Sequence, residues 1–131
     1  MREKIRAELG MGAYAILSLP KVKKALENSD VVLVESLYSW DEYKIMKNEF
    51  NGSFEVIAVF GPPTLRFPRL IARKNWRPMN GYEEFKRRDW TEIEGTDKGG
   101  PIAIADHTLL NTSSLENLHE QIEKIILIDE N

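Results

Sequence analysis

A chain of 131 residues, 42% hydrophobic and 30% charged, has the length and balance of one soluble globular domain with a buried core. No apolar run approaches the roughly 20 residues of a membrane span and the opening MREKIRAELG has no signal-peptide core, so a cytoplasmic protein is expected. Cysteine is absent, which excludes disulfides and thiolate metal ligands, and a net charge of −3 speaks against general nucleic-acid binding.

In chain order, residues 2 to 9 carry Ile5 and Leu9 at helical spacing with Gly10 as a stop. Met11 to Leu17 continues as a packed helix, and Pro20 opens another with Val22, Ala25 and Leu26 inward. The apolar run Val31-Val32-Leu33-Val34 ends in Glu35 and predicts a strand buried on both faces. Ser39 is a candidate N-cap for a helix over Trp40 to Phe50. Val56 to Phe60 is a second buried-type strand, followed by the turn Gly61-Pro62-Pro63. Because Pro68 lacks an N–H and crowds the preceding turn, the next helix is expected to begin near Phe67 or to be kinked. Asn75 to Asn80, with Trp76 and Pro78, reads as a loop, and Gly81 to Ile93 as a helix presenting Tyr82, Phe85 and Trp90. A glycine-rich connection over Gly95 to Pro101 and a short apolar stretch, Ile102 to Asp106, lead to a strand at Thr108 to Leu110. A last helix starts at Ser113 or Ser114. Strands alternating with helices predict an α/β fold with a mainly parallel sheet.

In such sheets chemistry gathers outside the carboxyl ends of the strands, which brings forward Glu35 and the turn after Phe60. A carboxylate at a strand end can accept a hydroxyl proton or hold a metal-bound water; the alternative is an idle, solvated strand terminus. The stretch from Arg66 to Arg88 holds Arg66, Arg69, Arg73, Lys74, Arg77, Lys86, Arg87 and Arg88 against Glu83 and Glu84. Arg66, Arg69 and Arg73 share one helical face, where like charges repel unless an anion sits among them, and forked guanidinium groups suit phosphate. The alternative is a solvated helix face. His107 and His119 have no companions at metal-ligand spacing, and the three tryptophans are not interleaved with basic residues as a base-stacking platform would be. No glycine is followed by lysine, so the G-x-x-x-x-G-K-[ST] phosphate loop does not occur in these residues.

Four stretches together carry a family resemblance: RAELGMGAYA from Arg6, LYSWDEYKIMK from Leu37, RPMNGYEEFKRRDWTEIEGTDKGGPIAIAD from Arg77, and LLNTSSLENL from Leu109. They resemble dephospho-coenzyme A kinase-like P-loop kinases of archaea and bacteria. The resemblance implies a three-layer, adenylate-kinase-like fold over residues 1–131 as one domain, with a lid-like basic segment at about 66–98. It implies transfer of a phosphoryl group from ATP, with Mg, to a small anionic acceptor such as dephospho-CoA or a nucleotide. Glu35 would face the acceptor as the catalytic carboxylate, with Tyr38 and Trp40 on the same side. Arg66, Arg69, Arg73, Arg77 and Arg88 would serve the phosphates and the lid, and Asn111 would stand near the adenine ring. No protein metal ligand is assigned.

The sequence departs from the resemblance at three points. Glu35-Ser36 stands where the family usually has Asp-Gly, Pro68 interrupts the arginine helix, and the family's first strand and phosphate loop have no counterpart. The expectation is therefore a chain that does not phosphorylate on its own, with unpaired strand edges that re-pair or draw two copies into a homodimer. The alternative is a non-catalytic module, derived from the kinase fold, that binds an anion or another protein.

Overall fold

The computed structural model describes residues 10, 12–73 and 80–130, with side chains described as far as residue 126. The expected helix over residues 2 to 9, most of the loop over Asn75 to Asn80, and Arg77 lie outside the described residues. The elements in order are α1 (Ala13–Leu26), α2 (Trp40–Glu49), β1 (Ile57–Phe60), α3 (Pro63–Ala72), α4 (Tyr82–Thr96), α5 (Gly99–Ala103), β2 (His107–Leu110) and α6 (Leu115–Glu130). This is a mixed α/β chain with a small two-stranded parallel sheet. It divides into two compact units: a helical unit from the described part of Met1–Phe54 with Thr91–Ile104, and a sheet unit from Glu55–Trp90 with the described part of Ala105–Asn131.

In the helical unit, α1 runs unbroken through Pro20 where the sequence suggested two helices. Proline removes the hydrogen bond to the carbonyl four residues back, here that of Ile16. Both Pro20 and Ile16 lie on the exposed side of the helix, so water can satisfy that carbonyl and the helix continues. The apolar side of α1 meets α2: Ala15, Val22 and Met46 are buried, and Leu19, Val32, Leu37, Ile45, Phe50 and Phe54 pack around them. Leu26, expected inward, is 40% exposed.

The helix start foreseen at Ser39 is present. Its Oγ accepts from the Glu42 N–H at 3.1 Å, and Glu42 Oε2 accepts from the Tyr38 N–H at 3.3 Å, which makes a near relative of the capping box. Both side chains are almost fully buried. Opposite them, α5 brings Gly100 against the face of Trp40, so the glycine-rich stretch is a helix turn with a packing role.

The expected first strand, Val31 to Glu35, is not a strand. These residues have no regular structure, and Val31 and Leu33 are 75% and 87% exposed. A strand needs a neighbour to take its backbone groups, and among the described residues β1 and β2 are the paired strands. Val32 alone of the run packs on the helical core. The segment then turns through Ser36, whose φ of 76° lies in the left-handed region that favours glycine. A side chain there costs roughly 1–2 kcal/mol. Ser36→Gly is therefore expected to stabilise the chain by about 0.5–1 kcal/mol in urea unfolding, after allowing for glycine's greater backbone entropy. A loss of stability would show that the turn is held by the serine side chain.

In the sheet unit, β1 and β2 run parallel with Ile57 opposite His107 and Phe60 opposite Leu110. The pairing is extended at both ends. Asp106 and His107 donate to the Val56 carbonyl, Val56 N–H donates to Asp106 Oδ2 at 2.8 Å, and Asn111 N–H donates to the Phe60 carbonyl at 2.8 Å. The Gln121 amide of α6 accepts from the Leu110 N–H and donates to its carbonyl, at 2.8 and 3.0 Å. A side-chain amide thus stands in for a neighbouring strand at this point of β2. The last helix starts near the foreseen position, with Ser114 Oγ accepting from the Asn117 N–H at 3.0 Å.

Helix α3 begins at Pro63 and passes through Pro68, so it does not start near Phe67. Proline suits the first helical position, where no partner is needed. The carbonyl that Pro68 leaves without a donor belongs to Thr64, and both residues are exposed, the same resolution as in α1.

Candidate anion-binding site

The loops leaving β1 and β2 meet the arginine-bearing face of α3. At Gly61, the first residue after β1, an added Cβ would lie 3.3 Å from Arg66 Cγ and 3.6 Å from the Asn111 carbonyl oxygen. Glycine therefore permits the close approach of both groups. Arg66 Nε donates to the Gly61 carbonyl at 2.6 Å, and Arg69 Nη1 donates to the Asn111 carbonyl at 2.7 Å. Since Asn111 N–H is already bonded to Phe60, one arginine is tied to each strand end.

The two arginines differ in what they have left. Arg66 Nη1 and Nη2 donate to Asp89 Oδ1 and Oδ2 at 2.9 and 2.7 Å, a bidentate pair that joins α3 to α4. Its guanidinium also lies over the Phe85 ring, 5.1 Å from the centroid. Phe85 is buried and touches Phe67 and Tyr82, with ring centroids 5.5 and 6.0 Å away. Among the described residues, Arg69 uses a single donor, on Asn111, which leaves most of a half-buried guanidinium available. Arg73 is exposed and ends α3 in extended backbone.

Arg88 is paired with Glu84 one turn before it on α4, and Glu84 also accepts from the Asn80 N–H at 2.8 Å. The Asn80 donor lowers the Glu84 pKa most; desolvation offsets part of this, and Arg88 adds to it. A depressed carboxyl pKa stabilises the fold fully above the ordinary carboxylate range, and this contribution is lost as pH falls through the folded value.

Glu35 is exposed and belongs to the helical unit, as do Tyr38 and Trp40. Lys98 Nζ sits over the Tyr38 ring at 5.2 Å, while Trp40 stacks on Tyr43 with centroids 5.0 Å apart. The structure thus gathers Arg66, Arg69 and Asn111 at the strand ends of one unit, and holds Tyr38 and Trp40 in aromatic contacts of the other. His107 Nε2 is 3.4 Å from Glu55 Oε2 at the opposite, amino end of β2.

Two buried or half-buried carboxylates, one in the α2 cap and one at the anion site, were missed from sequence. Glu42 had a legible signal, the S-x-x-E spacing from Ser39. Asp89 had none, because it lies 23 residues from Arg66 and no local period links them. Among the described residues no three His, Asp or Glu side chains form a group that could hold a metal ion, and no helix is long and apolar enough to cross a membrane.

No protein-family model matches the chain. It is similar to a UPF0200 protein of Pyrococcus furiosus, 40% identical over 124 residues, which cover 94% of this chain and 66% of that protein. A UPF0200 protein of Thermococcus gammatolerans is 36% identical over 124 residues, covering 94% and 65%. One of Sulfurisphaera tokodaii is 32% identical, covering 95% and 66%. The chain therefore spans 65–66% of the length of these relatives. The similarity to these archaeal UPF0200 proteins runs over nearly all of its own residues.

Proposed function

We propose that the chain carries the acceptor-and-lid part of a small-molecule kinase, of adenylate-kinase-like P-loop fold, and binds phosphate at the carboxyl ends of β1 and β2. The observation that carries this reading is the pair of arginines tied to the two strand ends, Arg66 on Gly61 and Arg69 on Asn111. Parallel sheets collect ligands at that end, and guanidinium forks match phosphate oxygens in shape and charge. The resemblance to dephospho-coenzyme A kinase-like proteins names the class: phosphoryl transfer from ATP to dephospho-CoA or a nucleotide, in the cytoplasm.

The arginine donors suit the phosphates of ATP. Arg69 and Arg73 would hold phosphate oxygens, with Arg77 and Arg88 on the lid segment and Asn111 beside the base. The described residues do not by themselves build a magnesium cage. ATP would supply the transferred phosphoryl group; what these residues contribute is binding and orientation.

Calorimetric titration with magnesium-ATP and with inorganic phosphate tests the site. Arg69→Ala is expected to weaken binding about tenfold, the scale of one lost charge-assisted contact. Unchanged affinity in both Arg69→Ala and Arg73→Ala would place any anion elsewhere. The 131-residue chain is further expected to show no kinase-like turnover, because it contains no G-x-x-x-x-G-K-[ST] to cradle the nucleotide phosphates. Robust phosphorylation of dephospho-CoA or a nucleoside monophosphate would overturn that.

A second reading is a non-catalytic interaction module that pairs with another chain, including a second copy, through its strand edge. The exposed apolar residues of β1 favour it: Ile57, Val59 and Phe60 are 45%, 60% and 46% exposed. Arg69→Ala with light scattering separates the two readings, since phosphate binding that falls in the variant fits the first and a dimer that binds no phosphate and is indifferent to Arg69→Ala fits the second.

A further inference from the structure

We infer that Asp89 is a resident counter-anion: it occupies the fork of Arg66 that a tetrahedral phosphate dianion takes when it binds, and its displacement breaks the polar tie between α3 and α4. This rests on the phosphate-site reading above and adds to it which arginine the ligand must win and what holds that arginine beforehand.

The Arg66 guanidinium serves both the Gly61 carbonyl and the Asp89 carboxylate. Nε is committed to the Gly61 carbonyl at the end of β1, which fixes the group at the strand end. The fork formed by Nη1 and Nη2 then receives both oxygens of Asp89. A phosphate accepts from the same two donors with the same parallel geometry, and it brings up to twice the charge of a carboxylate. The exchange is open to solvent, because the Arg66 side chain is 35% exposed and that of Asp89 27%.

Displacement has a structural consequence. Within the sheet unit, the first part of α4 is held to α3 by the Arg66–Asp89 pair, by Arg66 over the Phe85 ring and by the contacts of Phe67 with Tyr82 and Phe85. With the polar tie exchanged for a ligand, the aromatic cluster remains as the pivot. The basic residues next to Asp89, Lys86, Arg87 and Arg88, lie on the same helix, where a bound dianion would attract them. The device is a latch that the ligand itself opens.

Inorganic phosphate is the probe, with sulfate as a shape match and acetate as the monovalent control. Wild type, Asp89→Asn, Arg66→Gln and Arg69→Ala are each titrated calorimetrically, and folding is checked by circular dichroism. A competitor that fills the fork about four times in five raises the apparent Kd about fivefold, so Asp89→Asn is expected to bind phosphate about fivefold more tightly than wild type. Arg66→Gln is expected to lose most of that binding, and acetate to bind none of the proteins measurably. Asp89→Asn should also melt lower than wild type without phosphate and gain more from its addition.

Phosphate binding that falls in Arg69→Ala yet is no tighter in Asp89→Asn would overturn the latch and leave the site standing. No phosphate binding in any variant would overturn both. Should Asp89→Asn fail to fold, carbon-detected NMR of the wild-type Asp89 carboxyl decides the same point. Its resonance moves as phosphate saturates the protein if the carboxylate is displaced, and stays in place if the bridge is static.

Discussion

Phe85→Ala is expected to cost about 3–5 kcal/mol, the largest loss from any single substitution in the sheet unit. The ring is 2% exposed, the most buried apolar side chain among that unit's described residues. It contacts two other aromatic rings and lies beneath the Arg66 guanidinium. Truncation removes the apolar burial, leaves a cavity between α3 and α4, and takes away the surface on which Arg66 rests. A typical domain is stable by only about 5–15 kcal/mol, so much of the reserve would go. Urea unfolding followed by tryptophan fluorescence measures it. Phe85→Leu, which refills most of the volume, should recover well over half of the loss. A cost of under about 1 kcal/mol for the alanine variant would mean that the cluster is peripheral.

Gly100→Ala should cost about 2–3 kcal/mol for the addition of a single methyl group. The new Cβ would stand 2.6 Å from Trp40 Cε3 and 3.2 Å from Cδ2, both atoms of a rigid ring. The ring has little room to yield, since it is stacked on Tyr43, inclined by only 10°. Gly12 offers a useful contrast. A Cβ there would meet the Cδ1 methyl of Ile45 even more closely, but that atom ends a flexible chain that can rotate away, so Gly12→Ala should be milder. Combining Gly100→Ala with Trp40→Leu checks the cause. If the ring is the obstacle, the two losses add to less than their sum, by about 1 kcal/mol or more. Simple additivity would put the strain in the α5 backbone instead.

These two substitutions lie in different units, and both depend on contacts that no local pattern announces. Phe85 was legible as an inward residue of a helix, because its neighbours keep helical spacing. Its partners were not, since Phe67 and Arg66 come from the far side of a long connection. The same holds at the anion site. Arg66, Arg69 and Arg73 were legible as one face of a helix, and Gly61 and Asn111 as residues following strands. That Arg66 is already held by Asp89, while among the described residues Arg69 keeps most of its donors, needed the fold.

The sequence by itself determined the order and kind of most elements: the two strands that pair, the capped start of α2, the beginning of α6 and the run of arginines. Each follows from short-range physics, such as side-chain period, a hydroxyl within reach of a free N–H, or a turn that only certain residues make. Tertiary structure decided the rest. Pro20 and Pro68 did not break their helices, because each lost bond falls on a solvated side. Val31 to Glu35, as apolar as β1, did not become a strand, because extended backbone is stable only beside a partner. Asp89 came to fill the fork of Arg66 because packing Phe85 against Phe67 sets α4 beside α3, and an opposite charge brought that close forms the pair.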